Sequence, residues 1–415
     1  MNLPAQRPAP LHWLTVLRYP ATLWVIMKHS LHNFGDPAAI PESLRKSFME
    51  RGFLGVPFFF ILSGFILTYN YPVIRSKLDY LAARAGRILP VYYLSLLLSL
   101  PLILPKFAHN GIHFALPRTL TYLTLTQAWI PDFTGFWNFP TWTLSCEAFF
   151  YVLLLWMLAP LQNLIAHSPK RACAIIAACF VFGLVSPAVF TIHFGNPPLA
   201  AYDNPANAEL ISAANFVKIF PILHLLEFVT GVALCLGLRT SLPSLVRFSG
   251  LLMLLGSIQV LSCLFIPAIF SQGTYCLPGF VLIILGAAGL PFPNPETSEP
   301  GTKWLASKSI LLGHASYGVY LFHIPVMFTL LAFARHLFPI LPNGEAGVWT
   351  LYIATILITT ALAIPIYYYY EQPARRHLSQ WVRRRWSPPG RAAKSSQPEP
   401  ESDSATGGTS LDRSG

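Results

Sequence analysis

The stretch LTVLRYPATLWVIMKHS, Leu14 to Ser30, is apolar enough for a membrane helix, yet it holds Arg18 near one end and His29 near the other. Eleven residues of α-helix make three turns with roughly 20° left over. The two side chains therefore share a face, about 16 Å apart along the axis at the standard rise. A cation and an imidazole on one stripe of an apolar helix call for partners elsewhere in the chain.

The 415-residue chain is 54% hydrophobic and 11% charged, with a mean hydropathy of +0.51. Soluble globular domains carry about 25% charged residues, so the composition excludes one. Apolar runs near 11–30, 52–71, 88–105, 142–165, 172–194, 217–238, 248–270, 274–292, 309–334 and 347–370 predict an all-α, polytopic integral membrane protein of about ten transmembrane helices. The run 117–130 is broken by polar residues and reads as re-entrant or interfacial. The first run is too long for a removable signal peptide and lacks its small-residue cleavage site, so it is expected to remain as a span. The six cysteines include no C-x-x-C pair, and their spacing points to neither a metal site nor a disulfide.

The formal charge is +11, and its placement gives an orientation. With a cytoplasmic N-terminus, alternate loops and the C-terminal tail carry Arg75, Lys77, Arg84 and Arg87, then Lys170 and Arg171, Arg239 and Arg247, Lys303 and Lys308, and finally Arg375, Arg376 and Arg383 to Arg385. The opposite loops hold few basic residues, which predicts an N-in, C-in topology. Residues 1–10 then form a cytoplasmic N-terminus and 11–376 the membrane domain. Residues 377–415 form a tail that is basic at first and, from Ser387, too poor in large apolar residues to fold. The Arg383–Arg385 run, between Trp381 and Trp386, suits anionic lipid headgroups. No folded domain presents it to nucleic acid.

Ionisable groups within spans are costly and so mark sites. Beside Arg18 and His29, the second run embeds Ser63 and Gly64 among aromatics, where small residues also permit close helix packing. RAGRILPVYY places Arg84 and Arg87 one helical turn apart at the expected membrane edge, suited either to anchoring or to a phosphate-bearing ligand. TWTLSCEAFFY buries Glu147 beside Trp142 and Ser145, and a carboxylate there must be neutral or partnered. His224 and Glu227 form a second, weaker acid-containing pair. LLGHASYGVYLFHIPVM carries His314, Tyr317 and Tyr320, with His323 near mid-membrane before Pro325. YYYYEQPARRHL ends the last span with Glu371 and Arg375 four residues apart, the spacing of a salt bridge that fixes a helix end.

Taken in order, these motifs resemble the acyltransferase 3 family of integral membrane acyltransferases. The resemblance rests on the Arg18–His29 spacing, GVPFFFILSGF (Gly55 to Phe65), RAGRILPVYY (Arg84 to Tyr93), TWTLSCEAFFY (Thr141 to Tyr151), LGHASYGVYLFHIPV (Leu312 to Val326) and the closing YYEQPARR. The family often has an Asp three residues before the arginine and a Gly after it, where this chain has Thr15 and Tyr19. A partner for Arg18 must then come from another span, and Glu147 is the candidate. The family's Trp-Ser-Leu-Ser-Val-Glu run is altered here to WTLSCEA.

The resemblance implies transfer of an acyl group, commonly acetyl, from acyl-CoA to a hydroxyl of an envelope or exported carbohydrate or a lipid-linked sugar, in a bacterial inner membrane. It implies acyl-CoA as a donor substrate and no bound cofactor or metal. In that frame His29, Arg18 and Glu147 are the expected catalytic residues, with His29 either a general base or an acyl carrier. Arg84, Arg87, Ser63, Trp142, Ser145, Tyr317 and His323 are the expected substrate-binding residues. The competing expectation is a transporter in which Arg, His and Glu line a substrate or proton path. Such proteins often show two related halves, and the motif-rich segments here occur once each.

Overall fold

A computed structural model describes residues 10–33, 40–41, 44–166, 168–194, 215–240, 247–265, 273–293, 298–337 and 344–386. The described residues are helical or lie in connections between helices, with no strand among them. The chain enters through α1 (His12–Val16) and α2 (Arg18–Asn33), which meet at Leu17. The next helices are α3 (Gly55–Asn70), α4 (Lys77–Leu98), α5 (Leu100–Asn110) and α6 (Ile112–Leu123). They are followed by α7 (Trp142–Ala166), α8 (Pro169–Phe194), α9 (Leu225–Thr240), α10 (Ser249–Ser262) and α11 (Leu277–Gly289). The last are α12 (Pro300–Leu337), α13 (Glu345–Ile366) and α14 (Gln372–Trp386).

Five helical segments are long and apolar enough to cross a membrane: Glu50–Asn70, Lys77–Leu98, Phe139–Ala166, Pro300–Leu337 and Glu345–Val382. Ser249–Phe265 and Thr274–Gly289 are shorter apolar helices. The protein is therefore a multi-pass helical membrane protein.

Helix α3 lies at the centre, and it packs most closely on α9. The contact is made backbone to backbone. A Cβ at Gly64 would strike the Phe228 carbonyl, and one at Gly231 would strike the Ile61 carbonyl. Within a membrane, where lipid is as apolar as leucine, such close approach gives the dispersion contact that holds helices together. Ser63, one residue before Gly64, faces a cavity instead, so adjacent residues of the motif serve packing and site. At α12, the backbone of Gly313 meets the Thr15 carbonyl. This ties the longest helix to the first one.

Three local expectations change. The span placed at 88–105 begins at Lys77, so Arg84 and Arg87 lie in the body of a helix rather than in an edge loop. That helix ends at Leu98, and α5 and α6 follow as short helices joined at Gly111, whose φ of +76° lies in the left-handed region. At 11 and 12 residues they rise only about 17 Å each, too little to cross alone. The apolar run 117–130 falls on the end of α6 and a one-turn helix, Gln127–Trp129.

The last span does not end on a Glu371–Arg375 bridge. A π-helical turn, Tyr367–Glu371, joins α13 to α14, and Glu371 forms its ion pair with Arg87 of α4. An extra residue in the turn shifts the register of the face that follows, which is why i to i+4 spacing misassigns the partner. The third change concerns the cysteines: Cys263 and Cys276 form a disulfide that joins the facing ends of α10 and α11. The tail from residue 387, expected to be disordered, lies outside the described residues, as do residues 1–9.

Candidate active site

Two adjoining cavities lie among α2, α3, α4, α7, α12 and α14. The larger, about 360 Å³, is lined by Arg18, Arg84, Arg87, Arg375 and Arg376 together with His314. No carboxylate is among its lining residues. Arg84 and Arg87 are aimed there because they sit one turn apart on α4, and both are steadied by aromatics. The Arg84 guanidinium lies 5.3 Å from the Tyr71 ring centroid, and its Nη2 donates to the Tyr71 hydroxyl at 3.2 Å. Arg87 lies 5.1 Å from the Tyr317 ring centroid and pairs with Glu371, which is 2% exposed. Arg375 and Arg376 come from α14, held against α4 where Gly86 meets the Arg375 backbone. Planar forks converging in this way suit the phosphates of a polyanion.

The smaller cavity, about 110 Å³, shares Arg18, Ser63, Arg87 and Tyr151 with the larger one and adds Glu147 and Tyr320. Arg18 stands at the junction. Glu147 reaches the same space from α7, one turn before Tyr151, whose hydroxyl donates to Glu147 Oε2 at 3.0 Å. Ser63 lines the same cavity beside Tyr151. Among the described residues the ion pairs include none between Arg18 and Glu147, although the Glu147 charge acts on Arg18 across the cavity. Tyr317 also lines this space, and its hydroxyl donates to the Ile88 carbonyl at 2.9 Å.

Phe59 and Tyr320 both line the smaller cavity, their ring centroids 6.1 Å apart and their planes at 68°. The Tyr320 hydroxyl donates to the Pro140 carbonyl at 3.1 Å. One turn further along α12 is His323, which is 0% exposed. Its Nε2 is 2.7 Å from His29 Nδ1 and its Nδ1 is 2.6 Å from the Tyr320 carbonyl oxygen. The two imidazole planes differ by 11°, and the Phe139 ring meets His29 edge-on at 5.8 Å. His29 is only partly buried.

The structure thus gathers Arg18, Ser63, Arg84, Arg87, Glu147 and Tyr317 around connected cavities. His29 and His323 line neither cavity and form a pair that touches Tyr320 of the smaller one. Trp142 and Ser145 line neither cavity. Trp142 packs on Phe60 and His224, at centroid distances of 6.2 and 5.2 Å, and Ser145 Oγ accepts from the Ala128 amide at 3.4 Å. They hold the 127–141 connection that carries Phe139. The sequence alone did not pair the two histidines or single out Tyr151, and it gave Arg375 to Glu371 and counted Arg376 only among the cytoplasmic basic residues. For Tyr151, four residues after Glu147 on α7, helical spacing was the available signal. Among the described residues no three His, Cys, Asp or Glu side chains converge as metal ligands.

The acyltransferase domain family matches residues 11–368, covering the first helix, the smaller cavity and the histidine pair, while Gln372, Arg375 and Arg376 of the larger cavity lie beyond it. The chain belongs to the acyltransferase 3 family. It is 27% identical over 369 residues to acyltransferase MdmB of Streptomyces mycarofaciens, covering 85% of this chain and 87% of that protein. It is 27% identical over 353 residues to nodulation protein 10 of Rhizobium leguminosarum bv. viciae, covering 80% and 85% respectively. A Bacillus subtilis (strain 168) protein, YrhL, provisionally named a peptidoglycan O-acetyltransferase, is 23% identical over 372 residues, which cover 83% of this chain and 54% of that one. No solved structure matches the chain. As a member of this family the protein is an acyltransferase, an enzyme that transfers acyl groups.

Proposed function

We propose that this acyltransferase moves an acyl group, acetyl in the first instance, from acyl-CoA to a hydroxyl of an envelope or exported carbohydrate. The observation that carries the proposal is the sequence of environments along α2. At Arg18 the helix borders a cavity lined by five arginines, and three turns on it presents His29. The arginines suit the phosphates of coenzyme A. The narrow inner cavity suits its pantetheine arm and thioester. Arg18, at the junction, is placed to hold a coenzyme A phosphate where the arm enters the inner cavity. Glu147 would keep the Arg18 guanidinium oriented through the field across the cavity, and Ser63 and Tyr317 would line the arm's path.

His29 is then the general base. It takes the proton of the acceptor hydroxyl as the oxygen attacks the acyl carbon, the C–S bond breaks, and the proton passes to the leaving thiolate. A carbohydrate acceptor draws support from the name of the peptidoglycan O-acetyltransferase relative.

The topology that serves this reaction has about ten spans with both termini cytoplasmic, which puts the arginine cavity on the acyl-CoA side. The disulfide supports the same orientation. In this topology the Cys263 and Cys276 ends of α10 and α11 face the outside of a bacterial inner membrane, where disulfides persist. Residues 11–376 would be the catalytic domain and 377–415 a cytoplasmic tail whose basic start rests on lipid.

Mass spectrometry of envelope glycans from cells with and without the protein tests the proposal. Added acyl mass on a glycan is expected with the wild type and not with His29→Ala at equal protein level. Full acylation by the variant would remove His29 from the mechanism. Flux of an unmodified solute, with no new ester, would favour a transporter.

A further inference from the structure

We infer that His323 is a positioning residue that fixes the tautomer of His29, so that the lone pair of His29 lies on Nε2. The inference rests on the proposed role of His29 as general base and gives His323 a task other than substrate contact.

The argument starts from an atom that has no choice. The Tyr320 carbonyl oxygen can only accept, and His323 Nδ1 lies 2.6 Å from it, so Nδ1 carries a proton. His323 is 0% exposed, and a lone imidazolium cut off from water is strongly disfavoured unless an anion faces it. Among the described residues, the groups recorded around its ring are the Tyr320 and Val319 carbonyls, the Tyr320 ring and His29, none of them a carboxylate. The ring is therefore neutral, with its lone pair on Nε2. That nitrogen is 2.7 Å from His29 Nδ1, so His29 Nδ1 is the donor. In neutral His29 the remaining nitrogen, Nε2, then holds the lone pair.

This order inverts the preference of a free histidine side chain, whose neutral form mainly keeps its proton on Nε2. A histidine left to itself would present the acceptor hydroxyl with an N–H and no base. In the Ser-His-Asp arrangement a buried aspartate does the corresponding work, and losing the correct tautomer there costs about 10⁴-fold in kcat. Here a second imidazole, itself oriented by a carbonyl of its own helix, stands in that place. When His29 takes up the acceptor proton, its Nδ1–H···Nε2 bond becomes charge-assisted and stronger. His323 thus stabilises the imidazolium without forming any bond to the substrate. The exposures agree with this division, because His323 is sealed and His29 is not.

The experiment uses full-length protein in lipid vesicles, labelled with ¹⁵N on histidine side chains and examined by solid-state NMR. His29→Ala identifies the His29 signals by subtraction. The wild type is expected to show a protonated Nδ1 and an unprotonated Nε2 at His29. In His323→Phe, which keeps ring volume and removes both nitrogens, the His29 proton should move to Nε2. In His323→Gln, whose amide oxygen accepts where Nε2 did, it should stay on Nδ1.

In inside-out membrane vesicles from the producing cells, kcat for label transfer from [¹⁴C]acetyl-CoA to the membranes' own glycans should fall at least about 100-fold in His323→Phe. It should recover to within about tenfold of wild type in His323→Gln, and KM for acetyl-CoA should hardly change in either variant. A wild-type His29 protonated on Nε2, or equal loss of kcat in both His323 variants, would overturn the inference. Activity retained by His29→Ala would instead overturn the general-base reading and leave the tautomer result standing.

Discussion

Arg18 and Glu147 face the same cavity from different helices, yet the hydrogen bond of the carboxylate goes to Tyr151. The guanidinium therefore keeps its donors for a ligand while an acid nearby offsets part of its charge. This division makes Arg18→Lys informative. Lysine retains the charge and loses the planar fork. The expected result is a rise of about tenfold or more in KM for acetyl-CoA, the scale of a weakened charge-assisted fork on a phosphate, with little change in protein level. Steady-state transfer from acetyl-CoA measures it, and unchanged KM would reduce Arg18 to a membrane anchor. The alignment of Arg18 with His29 was legible in the sequence because both lie on one helix, where geometry follows from spacing alone. The contact of His29 with His323 was not legible, since it joins residues 294 apart in sequence and depends on how α2 and α12 cross.

The junction of α13 and α14 turns on one π-helical step. By spacing alone, Glu371 belongs with Arg375. The turn gives it to Arg87 and leaves Arg375 in the wall of the larger cavity. The pair is well shielded, with side-chain exposures of 18% and 3% for Arg87 and Glu371. Removing one member leaves a charge with no counter-ion, which costs about 3–5 kcal/mol. Glu371→Ala should accordingly lower the stability of the detergent-solubilised protein by that order, seen as a reduced midpoint in thermal unfolding. Arg375→Ala should leave the midpoint nearly unchanged. Equal losses would restore the pairing that helical spacing suggests. The apolar runs located α13 to within a few residues, whereas they set the starts of α4 and α12 two to three turns late. The charged residues 77–87 resemble a cytoplasmic loop by composition, and only the helices that pack against them make a buried helix of that stretch.

For the molecule as a whole, hydropathy and charge placement were sufficient for an all-helical, multi-pass membrane protein, and six short motifs were sufficient for the family. Hydropathy could not show the disulfide, because Cys263 and Cys276 sit in apolar runs that read equally well as packing residues. The bond offers a test of orientation. Thiol alkylation of the denatured protein, before and after reduction, should reveal two additional thiols after reduction, and Cys263→Ser should abolish the difference. Loss of this crosslink, which closes a loop of 13 residues, is expected to cost about 3 kcal/mol. Cells unable to oxidise thiols outside the cytoplasm should yield the reduced form. The same reduced state in ordinary cells would place that end of α10 and α11 in the cytoplasm and reverse the proposed topology.

The Arg87–Glu371 pair also sets an order of assembly. Arg87 is synthesised with α4, while Glu371 leaves the ribosome only after α13. Throughout that interval the guanidinium must be hydrated or held by lipid phosphate, and the arginine cavity lacks its buried counter-charge. Closure of the larger cavity thus waits for the last described helix, so that a chain truncated before Glu371 keeps α1 to α13 and lacks the wall that Arg375 and Arg376 supply.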